Sequence, residues 1–285
     1  MKRTDIKFKT GWLFVFVLLF REAFALSMVA DSLSNSDSLP NPSYLTLDVS
    51  YTNNNIVNNN LAGANIAALF ADVTFYHKSG FYAGFMPTNY FNAAELSYDL
   101  DWSLGYSKFF NSGFYVDANY LNHSYRGDSA LMGIDYRHAV SLSLNYSRQN
   151  WYLFTDATTT FGASQNYMFD AGLGYYASFD ALFTKNDNLT LFPMLSLGFG
   201  SDYWLFDGLT LTEQAQIKIL FRNEGFAWNT FDWHTTNLIL PITYYLGNIS
   251  ASFTYLYAMP TSKYKALSWQ NQSAFMFSLG YMLNF

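Results

Sequence analysis

The sequence predicts an all-β protein: a transmembrane, antiparallel, up-and-down β-barrel of 12 strands, with 14 strands as the alternative. Three observations lead there. Bulky apolar residues alternate with small or polar ones almost without a break from Ser43 onward. No apolar run approaches the roughly 20 residues of a membrane-spanning helix, the longest being Trp12 to Phe20. The composition joins 51% hydrophobic and 20% aromatic residues to only 13% charged ones, and nothing in the chain reads as a second layer to cover so many apolar faces. A bilayer offers open backbone groups no partner, so strands cross it only as a closed barrel.

The segment ahead of the alternation has its own logic. Lys2, Arg3, Lys7 and Lys9 precede the apolar run "GWLFVFVLLF", and Ala23 and Ala25 follow it with A-x-A spacing. This pattern predicts a secretory signal peptide over residues 1–25. Residues 26–42, "LSMVADSLSNSDSLPNP", are rich in Ser, Asp, Asn and Pro and carry no period, which predicts a flexible periplasmic leader. The barrel is expected over 43–285. The chain has no cysteine, which rules out a lipid-modified cysteine and a disulfide framework. Five of the 15 basic and two of the 21 acidic residues precede residue 26, leaving 10 against 19 and a net charge of −9. No basic stripe exists to neutralise phosphates, so no nucleic acid is expected as a partner.

The first strand is "YLTLDVSY", with Leu45, Leu47, Val49 and Tyr51 on one face. Two weaker patterns follow, "LFADVTFY" from Leu69 and "FYAGFMP" from Phe81. Next comes the cleanest, in which Leu96, Tyr98, Leu100, Trp102, Leu104 and Tyr106 alternate with Ser97, Asp99, Asp101, Ser103 and Gly105. A 3.6-residue period would mix those two sets on every face, so this segment is no helix. Further strands begin at Phe114, Val140, Trp151, Phe169, Leu189, Leu238 and Ile249. The last is "FMFSLGYMLNF", with Phe275, Phe277, Leu279, Tyr281, Leu283 and Phe285 on one face.

The connections alternate in length, as short periplasmic turns and longer outer loops do in such barrels. "HKSG", "SKFFNSG", "SRQN", "KNDN" and "GN" are short, whereas 52–65, 87–94, 122–133, 162–167, 201–236 and 260–272 are longer. Five turns and six loops suit 12 strands with both ends in the periplasm. Residues 209–233 are expected as a large outer loop, with a helical turn in "LTEQAQIKIL"; a hairpin there would give 14 strands. Outward aromatics such as Tyr106, Phe114, Tyr146 and Trp151 fall near strand ends, at the level of lipid headgroups.

A final strand with alternating aromatics that ends in Phe resembles the β-signal by which bacterial outer-membrane barrels are recognised and inserted, and Leu279, Tyr281, Leu283 and Phe285 occupy its positions. Together with "SYLTLDVSYTNNN", "YHKSGFY" and "FTYLYAMP", the chain is similar to uncharacterised outer-membrane β-barrel proteins of Gram-negative bacteria. That resemblance implies the outer membrane as the location, with membrane lipid and the barrel-insertion machinery as partners. It implies no activity.

The inward faces carry Asp48, Asp72, Asp99, Asp101, Asp117, Asp156, Asp170 and Asp180, while Lys78, Lys108, Arg148 and Lys185 fall in turns and Lys218, Arg222, Lys263 and Lys265 in outer connections. An acidic lumen favours cations, so the sequence points to a narrow passive channel for small cationic or neutral solutes. A structural or adhesive barrel binding a partner through loop 201–236 is the alternative. Inward Tyr115, Tyr152, Phe154, Tyr176 and Phe192 are expected to constrict the lumen; Gly105, Gly172, Gly174, Gly198 and Gly200 are expected to leave space. An esterase or phospholipase is less favoured, since His123 and Ser124, like His138 and Ser141, are an odd number of residues apart and point to opposite faces of a strand. With no Cys, no H-E-x-x-H and no phosphate-binding loop, neither metal nor cofactor is expected.

Overall fold

A computed structural model describes residues 42–54, 67–91, 97–126, 136–162, 165–202, 210–228, 230–267 and 269–285. The expected signal peptide and nearly all of the expected leader, together with the asparagine-rich stretch from 55, lie outside the described residues. The strands are β1 (Tyr44–Thr52), β2 (Ala68–Tyr76), β3 (Phe81–Tyr90), β4 (Ser97–Phe109), β5 (Phe114–Arg126), β6 (Tyr136–Arg148), β7 (Trp151–Gly162), β8 (Gln165–Tyr175), β9 (Ala177–Asp180), β10 (Asp187–Leu191), β11 (Met194–Ser201), β12 (Phe231–Leu246), β13 (Ile249–Pro260) and β14 (Gln272–Asn284). Two helices, α1 (Leu211–Asn223) and α2 (Ser262–Lys265), lie in the last two outer connections.

Every strand pairs antiparallel with its neighbours, and β1 pairs with both β2 and β14, which closes the sheet. The 14 assigned strands form a 12-stranded barrel. The Gly174↔Met194 pairing of β8 and β11 continues without slip as Ala177↔Leu191 in β9 and β10. Along β12 the register likewise runs on from Leu191↔Ile242 to Met194↔Ile239. The interruption is at Pro193, and the residue before it, Phe192, faces Pro241 of β12 and donates to its carbonyl at 3.1 Å. Neither proline has an amide to give the ladder. Thus β8 with β9, and β10 with β11, are each one long strand broken by proline chemistry.

Most strands are longer than the alternation indicates, because ladder pairing continues past the last bulky residue. The expected loop at 162–167 shrinks to the link between Gly162 and Gln165. Two of the short turns use one device. Gly80 (φ 97°) and Gly113 (φ 86°) adopt backbone forbidden to most side chains, and their carbonyls accept from Ser107 and Ser147 of the next strand, both at 2.9 Å.

Burial reports which face meets which solvent. On β4, Asp99, Asp101 and Ser103 are buried while Trp102 is 57% exposed; on β14, Met276 and Ser278 are buried while Leu279 is 65% exposed. A polar inside and an apolar outside is the inverse of a soluble domain and fits hydrocarbon around the barrel. At the short-turn end, aromatic pairs bridge neighbouring strands on the outer face: Phe81 with Tyr106 (5.0 Å), Phe114 with Tyr146 (4.7 Å) and Trp151 with Tyr175 (5.1 Å).

Among the described residues of 209–233 there is no hairpin, and β11 and β12 pair directly with each other. The segment forms α1, a full helix rather than a single turn. Thr210 and Glu213 close a reciprocal capping box at its start, and Gly225 (φ 79°) follows its end.

Candidate functional site

The barrel interior is layered. Nearest the short turns, rings line opposite walls: Tyr44 stacks on Tyr76 at 4.7 Å and Tyr76 meets Tyr82 at 5.2 Å, while across the barrel Tyr152 meets Phe192 at 5.4 Å and Phe154 at 6.1 Å. The lumen glycines do not open space beside these rings. A Cβ on Gly105 would strike the Tyr82 ring, one on Gly172 the Phe154 ring, and one on Gly174 the Phe192 ring. Each glycine is the seat of an aromatic side chain from a neighbouring strand, which corrects the expectation of free volume.

Above the rings lies the acidic layer. Asp99, Asp101, Asp117 and Asp170 are buried, Asp48, Asp72 and Asp156 are half-buried, and Asp180 is exposed on β9, beyond the proline break. Pairing sets two aspartates directly opposite each other twice, Asp48↔Asp72 and Asp156↔Asp170. Tyr82 donates to Asp117 Oδ1 at 2.8 Å and Asn119 donates to the Tyr82 hydroxyl at 2.8 Å. Ser143 donates to Asp156. Higher on the wall, His123 Nδ1 lies 2.7 Å from Asp101 Oδ1, its Nε2 lies 3.8 Å from Asp99 Oδ1, and Tyr90 donates to Asp99 Oδ2. The sequence reading set His123 in the outer connection 122–133; β5 runs on to Arg126 and brings it to the inner wall, against two partners that sit on β4.

The outer mouth holds a polar knot that sequence reading missed. Lys263 of α2 donates to Asp202 Oδ2 (2.6 Å), Asp232 Oδ2 (2.5 Å) and Thr230 Oγ1 (3.0 Å). Tyr264 donates to Asp202 Oδ1, and His234 Nε2 stands 3.7 Å from the same oxygen. His234 is the extra residue of a β-bulge, where Gly198 faces Thr235 but Phe199 faces Trp233; the bulge turns the imidazole inward. Burial by itself raises the Asp202 carboxyl, but the nearby His234 ring, hydrogen bonds from Lys263 and Tyr264 and the ammonium charge outweigh it and hold the group down to about 2. Burial, and then the Asp202 charge, push the Tyr264 phenol up.

The knot joins an apolar cluster. Ile217 and Phe221 of α1 are buried in one cluster with Tyr264, Leu267 and Trp269 of the last outer loop and with lumen-side Ile239, Leu256 and Met194. The Lys263 ammonium lies 5.3 Å from the centre of the Phe221 ring, tying the helix to the knot. The described part of the outer connection 201–236 thus serves in part as an internal cover.

Two further histidine contacts bear on catalysis. His77 Nδ1 and Ser79 Oγ are 2.7 Å apart, but within an exposed turn and with Ser79 N also donating to the ring, a local turn contact. His138 faces outward, 2.8 Å from the Tyr120 hydroxyl and 3.3 Å from Asn122 Nδ2. Among the described residues no group of three or more His, Cys, Asp or Glu side chains is arranged to hold a metal ion.

Leu279 and Tyr281 are exposed on the outer face of β14, where Leu283 is half-buried, and Phe285, just past its end, is exposed. The chain is thus a closed, 12-stranded antiparallel barrel of the outer-membrane type. No protein-family model matches it, and no curated protein matches it by sequence. Solved structures with a similar course of the chain include the KdgM porin (9% identity over 83% of this chain and 98% of that one, TM-score 0.47). LpxR from Salmonella typhimurium (9%, 83% and 99%, 0.46) and an outer-membrane channel from Pseudomonas putida F1 (9%, 87% and 98%, 0.46) are others. At such identities and scores, no solute or activity carries over to this chain.

Proposed function

We propose that the protein is a narrow passive channel of the outer membrane for small cationic or neutral solutes, closed by its own side chains in this conformation. The observation that carries the reading is one row of the sheet, Asp117, Ser143, Asp156 and Asp170, in which three of four neighbouring inward side chains are carboxylates and none is basic. A barrel that needed only to fill its interior gains nothing from such a row, because like charges directly opposite destabilise a sheet. In a lumen the same row repels anions and attracts cations.

The closed state follows from burial. Ile217 and Phe221 of α1 are buried against lumen-side Ile239 and Leu256, which covers the mouth, while Asp48, Asp72 and Asp156 stay half-buried beneath it. Twelve strands fall between barrels filled by side chains and those with a wide aqueous pore, so opening has to move side chains or α1. Reconstituted in planar bilayers, the protein should show small, infrequent, cation-preferring openings, and Lys263→Met, which frees the cover, should make them more frequent. Silence of both proteins across a range of voltages would remove the channel.

The second reading, a structural or adhesive barrel acting through the 201–236 connection, is favoured by the packed rings Tyr152, Phe154 and Phe192 and by Leu211, Ile219 and Trp228, which α1 and its C-terminal side leave exposed. Either way the protein is read as a non-enzyme. Export by a signal peptide cut after Ala25, and recognition of Leu279, Tyr281, Leu283 and Phe285 by the insertion machinery, complete the proposal. N-terminal sequencing of the membrane form tests the first.

A further inference from the structure

We infer that the opposed carboxylates of Asp156 and Asp170 form a binding site for a hard metal cation, divalent by charge balance, on the inner wall of the barrel. The two residues are direct partners in the β7–β8 ladder, which sets their Cβ atoms about 5 Å apart on one face. The row runs on to Ser143 and Asp117 on one side and to Gly198 on the other. From β5 to β11, neither this row nor the rows flanking it hold a basic residue.

The neighbouring carboxylates are provided for. Asp117 accepts from the hydroxyls of Tyr82 (2.8 Å) and Tyr115 (3.4 Å), and Asp156 accepts from Ser143. Asp170 differs: it is 2% exposed, and its buried Oδ1 has no hydrogen-bond partner. A buried carboxylate oxygen without a donor carries its full desolvation penalty, and here it faces a second carboxylate. A cation between them removes both penalties at once. The donors on hand are all oxygen, which selects a hard ion such as Ca²⁺ over a soft or nitrogen-seeking one. Half-buried Asp156 gives the ion its access from the lumen. The inference requires the closed barrel and this register, and rests on the channel reading only for the route by which the ion arrives.

The test uses the full barrel refolded in detergent, stripped with EDTA and titrated with Ca²⁺, while the temperature at which its heat-modifiable gel band unfolds is followed. Saturating Ca²⁺ should raise that temperature in the wild type by about 5 °C. Asp170→Asn and Asp156→Asn should show no response to Ca²⁺ and, in EDTA, should unfold no earlier than the wild type because the opposed charge is gone. Asp117→Asn, in the same row, should keep the response and serves as the control for folding. An equal response in the wild type and both pair variants would put the ion elsewhere. No response in the wild type would mean that the pair shares a proton. Either result overturns the site, and neither depends on conductance.

Discussion

At the residue scale, adjacent positions live in different solvents. Leu142 lies at the centre of β6 and faces outward, while Ser143 faces inward and serves Asp156. Leu142→Arg sets a charge against hydrocarbon and should cost about 2 to 4 kcal/mol near the midplane, read from the urea dependence of refolding into lipid vesicles. The seats for rings are equally specific. The three atoms nearest a Cβ at Gly105 all belong to the Tyr82 side chain, whose hydroxyl serves Asp117. Gly105→Ala should therefore destabilise the barrel by about 1 to 3 kcal/mol through overpacking. In a Tyr82→Leu background the same substitution should cost less than half as much; equal costs in the two backgrounds would show that the ring is not what the glycine accommodates.

At the element scale, the mouth is governed by α1, α2 and the start of β12, held by one ammonium among carboxylates. Removing it with Lys263→Met leaves the buried Asp202 carboxylate without its ammonium partner, a loss of about 3 to 5 kcal/mol that falls on the cover rather than on the strands. Trypsin should then cut after Lys218 or Arg222 in a barrel that still migrates as folded. The same knot sets an acid response. Asp202 titrates at about 2 when folded, against an ordinary value of 3.8, so its contribution is full above about pH 4 and disappears as pH falls through 2. Emission from Trp269, which stacks on Tyr264 at 5.0 Å, should change between pH 4 and pH 2, and Asp202→Asn should lack that transition.

At the scale of the whole molecule, everything depends on closure between the first strand and the last. That seam pairs Tyr44 through Thr52 with Asn284 through Met276, and Ser50 donates to Ser278 across it at 2.7 Å. A barrel left open there exposes two ladders to lipid, which no bilayer satisfies. Val49→Pro, which puts a kink and a missing donor into a strand paired on both sides, should abolish the folded, heat-modifiable species altogether. Survival of that species would show that the seam does not limit assembly.

The sequence by itself determined the barrel and its inside and outside and favoured 12 strands over 14, a choice the direct pairing of β11 with β12 settled. Side-chain alternation is a local property with a fixed period of two, and lipid forces every bulky face the same way, as Trp102 beside Asp101 illustrates. The capping box of Thr210 and Glu213 was likewise open to reading, since its partners are three residues apart. Only the tertiary structure decided what each lumen residue meets. Asp170 opposite Asp156, Gly105 beneath Tyr82 and Lys263 against Asp202 are set by strand register, a bulge at His234 and the folding back of an outer loop. These join residues 14, 23 and 61 positions apart, and a two-residue period carries no information about which strand lies alongside which or in what register.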